Sequence, residues 1–367
     1  MWGTKKLKVF MKNKEHLKGL DSLRAIAALI VVWSHIEFIK GLKNIPQNNF
    51  IFFPNAHFSV TLFFVLSGFL ITFLLVKEFQ KYQTISFKNF YIRRILRIWP
   101  LYYLIILISY FFTEHQISNR TLLLCISIFP NIPPALKSSW EGSPQIWSIG
   151  VEEQFYIFWP IFILYVLSKK KQNSYILTFI IIYTLLPFII NYINISTIQN
   201  EKLYSFVEKF FYYTKFNCMA IGAFLGFNLA SNKNWIKHLY SNTITSIALF
   251  VSPFLIWFCG ASFGFFTEEI YAVLFGLMIL VVVNSKKINI DNKVTVFLGK
   301  ISYGIYMYHW IIITALIELL SPFKKEIYFD LSLYMGTFII TILVSWISFM
   351  TFEKFFLNLK KKFEIKL

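Results

Sequence analysis

Arg24 and His35 stand eleven residues apart in the apolar stretch LDSLRAIAALIVVWSHIEF, residues 20–38. Eleven residues are close to three helical turns, so on a helix both side chains share one face, about 16 Å apart along the axis. A charged group at the centre of a membrane span costs about 2.5–3.5 kcal/mol. The shared face must therefore meet protein or water rather than lipid. Arg24 also has a plainer reading as an interfacial residue that snorkels. His35 has one as a neutral ring bonded to a neighbouring helix. The chemistry His35 offers is proton transfer near neutral pH.

Four other stretches carry reactive side chains. KNFYIRRILRIWPLYY, residues 88–103, reads as a loop leading into a span and holds Arg93, Arg94 and Arg97. Arg94 and Arg97 are three apart and neighbours on a helical face. Two guanidinium forks there suit a phosphorylated ligand, and equally suit anchoring to anionic lipid. WSIGVEEQFYIFWP, residues 147–160, brings Glu152 and Glu153 into an apolar segment. They are expected just below the outer surface, at the depth of His35, where one carboxylate would fix the histidine's tautomer. In LGKISYGIYMYHW, residues 298–310, Ser302, Tyr306 and His309 fall at i, i+4 and i+7, a polar stripe that aromatic packing would also explain. In FFVLSGFL, residues 63–70, Ser67 and Gly68 permit close helix approach or leave space for a ligand.

The elements that must position these groups are membrane helices. The chain has 367 residues, 57% hydrophobic and 15% charged, against about 45–50% and about 25% in soluble domains. Spans of about 20 apolar residues are read near 20–39, 58–76, 98–112, 146–168, 174–193, 211–230, 242–260, 267–284, 297–320 and 331–352. The fold is therefore expected to be all-α and polytopic, with about ten transmembrane helices. With both termini inside, 27 of the 36 Lys and Arg fall on the inner side and 9 on the outer, as the positive-inside rule requires. Counting 121–136 as a span would reverse that balance downstream. With its three prolines it is read instead as a re-entrant or outer-surface element. The net charge of +18 is thus an orientation signal and not a nucleic-acid footprint. Cys125, Cys218 and Cys259 sit in apolar stretches without metal-ligand spacing. The basic start leads straight into the first apolar segment, read as a retained span with no cleaved leader. There is no Walker A, GxGxxG or HExxH motif. Basic groups at the inner face and a histidine with carboxylates nearer the outer face would connect a phosphorylated donor to an external acceptor.

These same stretches resemble the acyltransferase family 3 membrane proteins, bacterial enzymes that O-acylate surface sugars. LDSLRAIAALIVVWSH carries the family's first-span Arg and His, VTLFFVLSGFLIT its second-span signature, and FYIRRILRIWPLYY its R-x-x-R pair, here Arg94 and Arg97. WSIGVEEQFY, LGKISYGIYMYHW and FEKFF, which contains Glu353, match later signatures. The resemblance covers nearly the whole chain, expected to be one membrane acyltransferase domain, 1–367, with basic tails at about 1–19 and 354–367. It implies transfer of an acyl group, by default acetyl, from cytoplasmic acetyl-CoA to a hydroxyl of a surface or exported saccharide, without a metal. Arg93, Arg94 and Arg97 would hold the nucleotide phosphates. His35 would be general base or transient acyl carrier, with Glu152 or Glu153 orienting it or stabilising its charged form, and Arg24 would belong to the donor end of the catalytic set. Ser67, Ser302, Tyr306 and His309 would line the tunnel. Where the family often has an Arg in the sixth-span region, this chain offers Lys215. Some members carry an extracytoplasmic hydrolase-like domain; this chain would act alone or with a separate partner. The implied setting is the bacterial inner membrane, and the implied partners are acyl-CoA, a saccharide acceptor, the lipid bilayer and other glycan-assembly proteins, with no nucleic acid. A transporter or flippase for a lipid-linked saccharide is the alternative, and would be marked by inverted repeats with broken helices.

Overall fold

The computed structural model describes residues 17–48, 50, 53–113, 117–285, 287–324, 326 and 328–364. Most of the predicted basic N-terminal tail lies outside them. Among the described residues there are helices and no strands, and eight helices are long and apolar enough to cross a membrane, nine if one bent pair counts as a span.

Three helices form the centre. Helix α1 is Leu20–Leu42, α2 is Ala56–Tyr82, and α9 is Phe216–Ala230. Helix α2 is apolar around its circumference and buried along most of its length, as a helix surrounded by others must be. Its contact with α9 is backbone against backbone. A Cβ on Gly68 would lie 1.9 Å from the Met219 carbonyl oxygen, one on Gly222 2.1 Å from that of Val65, and one on Gly226 2.3 Å from that of Phe69. Gly222 and Gly226 form a GxxxG pair, which lets helices approach closely where lipid supplies no hydrophobic drive. Gly68 therefore serves approach, while its neighbour Ser67 faces a cavity.

Helix α3, Phe87–Phe112, already contains all three arginines of the expected loop. The charged face is helical because the span simply begins earlier than hydropathy suggests. Two short helices follow, α4 Asn119–Ile126 and α5 Ile132–Ala135, neither long enough to cross. They make the element expected at 121–136. Tyr102 donates to the Cys125 carbonyl at 2.6 Å, ten residues and about 15 Å before the end of α3, so α4 dips along the bundle. A 3-10 turn at Pro144–Ile146 then leads into α6, Trp147–Leu167.

Helix α7, Gln172–Ile193, buries only Ile176 and presents Ile181, Ile182, Ile189 and Tyr192 outward, a lipid-facing surface. The span expected at 211–230 is broken. Helix α8, Glu201–Tyr213, is charged and aromatic with one buried residue, Val207, and α9 is a fifteen-residue remainder. The break at Thr214–Lys215 is satisfied by side chains: Tyr183 donates to the Thr214 carbonyl at 2.9 Å, and Asn131 to its hydroxyl at 3.0 Å. Irregular backbone at membrane depth requires such partners. Helices α10, Asn234–Ser241, and α11, Thr243–Phe258, bend by 86° where Asn242 caps α11 through the amides of Ile244 and Thr245. Helix α12 is Thr267–Asn284. The segment expected at 297–320 divides into α13, Lys293–Lys300, and α14, Ser302–Leu320. Helix α15, Phe329–Ser348, passes through a π turn at Phe349–Glu353 into α16, Lys354–Lys360.

The bundle has two distinct ends. At the first, Ser22 donates to Asp291 at 2.5 Å, Gln80 to the Ala230 carbonyl at 3.1 Å, and Arg93 to the Phe363 carbonyl at 2.9 Å. At the second, Ser34 accepts from the Ala56 amide at 3.1 Å, and Lys40 donates to Asp330 at 2.8 Å. Most of the described Lys and Arg belong to the first end.

Candidate active site

Two cavities with ionisable side chains in largely apolar walls adjoin inside this bundle. The one nearer the first end is lined by Arg24 of α1, Ser67 of α2, Arg94 and Arg97 of α3, Glu152 and Tyr156 of α6, and Ser302, Tyr303 and Tyr306 of α14. The one nearer the second end is lined by His35, Phe38, His57, Trp140, Trp147, Tyr212, Tyr213, Tyr306 and Trp310 among others. Val60 and Tyr306 line both. Tyr306 donates to the Gln145 carbonyl at 3.0 Å and pairs with Ser148 Oγ at 2.7 Å. The partition is thus held by α6 and the turn before it.

The first cavity is cationic. The Arg94 guanidinium lies over the rings of Phe90 and Tyr156, at 5.7 and 5.5 Å, and its buried Nε has no partner among the described residues. A buried donor without a partner costs about 1–3 kcal/mol, and an anion entering the cavity would satisfy it. Glu152 is occupied: Ser67 donates to one oxygen at 3.1 Å and Tyr156 to the other at 2.9 Å. Arg24 lies 3.4 Å from Asp21. Arg93 is elsewhere. Adjacent helical residues point about 100° apart, and Arg93 bonds the Phe363 carbonyl and lies 3.9 Å from Glu78. It ties the C-terminal segment to α3 and does not join Arg94 and Arg97.

His35 has a partner other than the one expected. Its Nδ1 lies 2.8 Å from His309 Nε2, with the rings nearly parallel, and His309 Nδ1 lies 2.6 Å from the Tyr306 carbonyl oxygen. A carbonyl only accepts, so His309 carries its proton on Nδ1. With both rings neutral, His309 Nε2 then accepts, His35 carries its proton on Nδ1, and the lone pair of His35 is on Nε2. Of the stripe, Ser302 lines the first cavity and Tyr306 both, while His309 is fully buried behind His35 and lines neither.

The two glutamates do not reach His35. Glu152 lines the arginine cavity, and Glu153 accepts from Trp99 Nε1 at 2.6 Å. The reason is the dip of α4 and α5. A Cβ on Gly150 would lie 2.4 Å from Pro130 Cδ, so α6 begins against the re-entrant element rather than at the membrane surface, and Glu152 sits at the depth of Arg24.

A third group escaped sequence reasoning. His57 Nε2 lies 2.6 Å from Glu268 Oε1, and Thr61 donates to Glu268 Oε2 at 2.7 Å. The His57 ring runs nearly parallel to those of Tyr212, at 4.7 Å, and Trp147, at 6.4 Å. Lys215, at the α8–α9 break, lies 5.2 Å from the Tyr212 ring centroid and adds positive charge beside Glu268. The available signal was the pair Glu268–Glu269 entering the apolar segment at 267, just as Glu152–Glu153 enter theirs, with His57 one residue before the second predicted span.

A helical membrane bundle carrying an arginine-lined cavity that abuts a histidine-lined one has the architecture of a membrane-embedded group transferase. The chain belongs to the acyltransferase domain family (Acyl_transf_3), whose model matches residues 17–350. It is similar to Peptidoglycan O-acetyltransferase OatA of Listeria monocytogenes, 26% identical over 359 residues that cover 89% of this chain and 54% of that protein. It is also similar to O-acetyltransferase OatA of Staphylococcus aureus, 25% identical over 332 residues that cover 83% of this chain and 51% of that one. The chain spans about half the length of these curated relatives. No solved structure matches it.

Proposed function

We propose that this protein is an integral membrane O-acetyltransferase that moves an acetyl group from an acyl-CoA bound in the arginine cavity to a hydroxyl of a cell-wall saccharide in the histidine cavity. The observation that carries this reading is the shared wall at Val60 and Tyr306, across which an anion site and a histidine site would form one route. Arg94 and Arg97 would grip the donor's phosphates through their planar forks, with Arg24 adding charge, and the unpartnered Arg94 Nε fits that use. The thioester would then extend past Tyr306 toward His35. Nε2 of His35 is the nitrogen free to act, either as base on the acceptor hydroxyl or as transient carrier of the acyl group. Peptidoglycan is the acceptor named for the Listeria relative and is the proposed acceptor class here. The first end, with its surplus of Lys and Arg, would face the cytoplasm of a bacterial cell.

The test is the O-acetyl content of wall saccharides, by mass spectrometry, in a deletion strain complemented with wild type or with His35→Ala at matched membrane levels. Restoration by wild type alone is expected. Equal restoration by both removes His35 from the chemistry. A deletion that leaves acetylation unchanged refutes the acetyltransferase reading.

A further inference from the structure

Two histidines line the second cavity, and they are backed differently. His35 leans on a neutral ring, His309, that ends on a carbonyl. His57 leans on a carboxylate, Glu268, whose second oxygen is occupied by Thr61. The two rings belong to one site: Ser34 Oγ accepts from the Ala56 amide at 3.1 Å, joining the residues immediately before each histidine. Backing decides which ring is better placed to hold a proton taken from the acceptor. A carboxylate on one nitrogen orients the ring and stabilises the charge it gains on taking a proton at the other. A carbonyl-terminated chain supplies orientation but no such charge.

We propose that His57, held by Glu268, is the acid–base residue that receives the acceptor saccharide's hydroxyl, and that His35 is the acyl carrier. Glu268 Oε1 lies 2.6 Å from His57 Nε2 as a charge contact without an aligned N–H bond; with the ring's proton on Nε2, beside the carboxylate, the lone pair would be on Nδ1. The nearly parallel rings of Tyr212 and Trp147 fix the plane of the ring. In the first step Nε2 of His35 bonds the acyl carbon of the thioester, and the carbon–sulfur bond breaks with its electron pair on sulfur, leaving His35 an acylimidazolium whose positive charge is matched by the thiolate. In the second the saccharide oxygen bonds the acyl carbon while its proton passes to His57 Nδ1. The bond from the acyl carbon to His35 Nε2 then breaks and returns its pair to nitrogen. The proton leaves His57 for the thiolate, giving the ester and the free thiol.

This inference rests on the acetyltransferase reading, and its test separates the two. Membranes and walls from the complemented deletion strain are supplied with radiolabelled acetyl-CoA, and label is counted on wall saccharide and on the protein itself. The decisive variant is His57→Gln, whose amide keeps an N–H group near Glu268 but has no base at Nδ1. Its rate of transfer to saccharide is expected to fall about 10²–10⁴-fold while the protein still acquires label. Transfer within tenfold of wild type overturns the inference, and so does loss of protein labelling together with transfer. Glu268→Gln serves if His57→Gln fails to accumulate in membranes. It is expected to lose at least tenfold in transfer with protein labelling kept, and an unchanged rate overturns the role of Glu268. Inert wild-type membranes would overturn the acetyltransferase reading and this inference with it.

Discussion

At the scale of single residues, the site depends on which group faces which. The eleven-residue interval made the shared face of Arg24 and His35 legible, and the three-residue interval did the same for Arg94 and Arg97. Partners across helices were not legible. His309 was marked as one of a polar stripe, yet nothing in its spacing says that it meets His35 at 2.8 Å; that contact depends on how α14 leans on α1. The contact has a consequence under the proposed function. His309→Ala removes the acceptor that holds the His35 proton on Nδ1, so the ring is free to turn and to exchange tautomers. Acetyl transfer should fall by about 10²-fold or more with acetyl-CoA affinity unchanged, checked by steady-state transfer and by equilibrium binding of the donor. A proportionate loss of donor binding would place His309 in the structure of the cavity instead. Arg94→Lys addresses the other cavity. Lysine keeps the charge but not the bidentate fork, so KM for acetyl-CoA should rise about tenfold while kcat stays within a few-fold, since the loss is of ground-state binding.

At the scale of helices, hydropathy located the segments and missed their interruptions. The break at Thr214–Lys215 is invisible to an apolar count because phenylalanines and tyrosines continue through it. What permits it is the pair of side chains, Tyr183 and Asn131, that meet the exposed backbone from other elements. The arginine helix was misread as a loop for the converse reason: three charges lowered hydropathy without disturbing helix geometry. The misplaced depth of Glu152 followed from a dipping element whose reach no sequence period records. Against these, Gly68, Gly222 and Gly226 show how sharply packing is fixed. Gly222→Ala sets a methyl against the Val65 backbone, and overpacking of this kind costs about 1–3 kcal/mol. The apparent Tm in detergent, by intrinsic fluorescence, should drop clearly for this variant. Gly336→Ala, whose added methyl meets the Leu316 side chain at an ordinary 3.5 Å, should leave it near wild type. Equal Tm values for the two variants would contradict the close approach of α2 and α9.

At the scale of the whole molecule, the proposed orientation rests on charge. In a background of Cys259→Ser, which removes the one exposed thiol among the described residues, a cysteine at Lys170 should react with a membrane-impermeant maleimide only after permeabilisation. One at Lys137 should react in intact cells. The reverse pattern would invert the proposed arrangement of donor and acceptor. One feature of the frame bears on what the donor can be. Helix α1 is fastened at both ends. At its start the Gly19 amide and Ser22 hydroxyl both donate to Asp291, at 2.9 and 2.5 Å. Toward its finish the fully buried Lys40 is held by Glu37 at 3.2 Å and Asp330 at 2.8 Å, a pairing whose disruption costs about 3–5 kcal/mol. A rod clamped in this way cannot slide, so the interval between Arg24 and His35 works as a ruler. Its eleven steps of 1.5 Å measure about 16 Å, and under the proposed function a donor would carry its acyl group on an arm of that reach while its charged head stays behind. Acetyl phosphate, whose anion and acetyl group are adjacent atoms, can satisfy one mark on the ruler but never both.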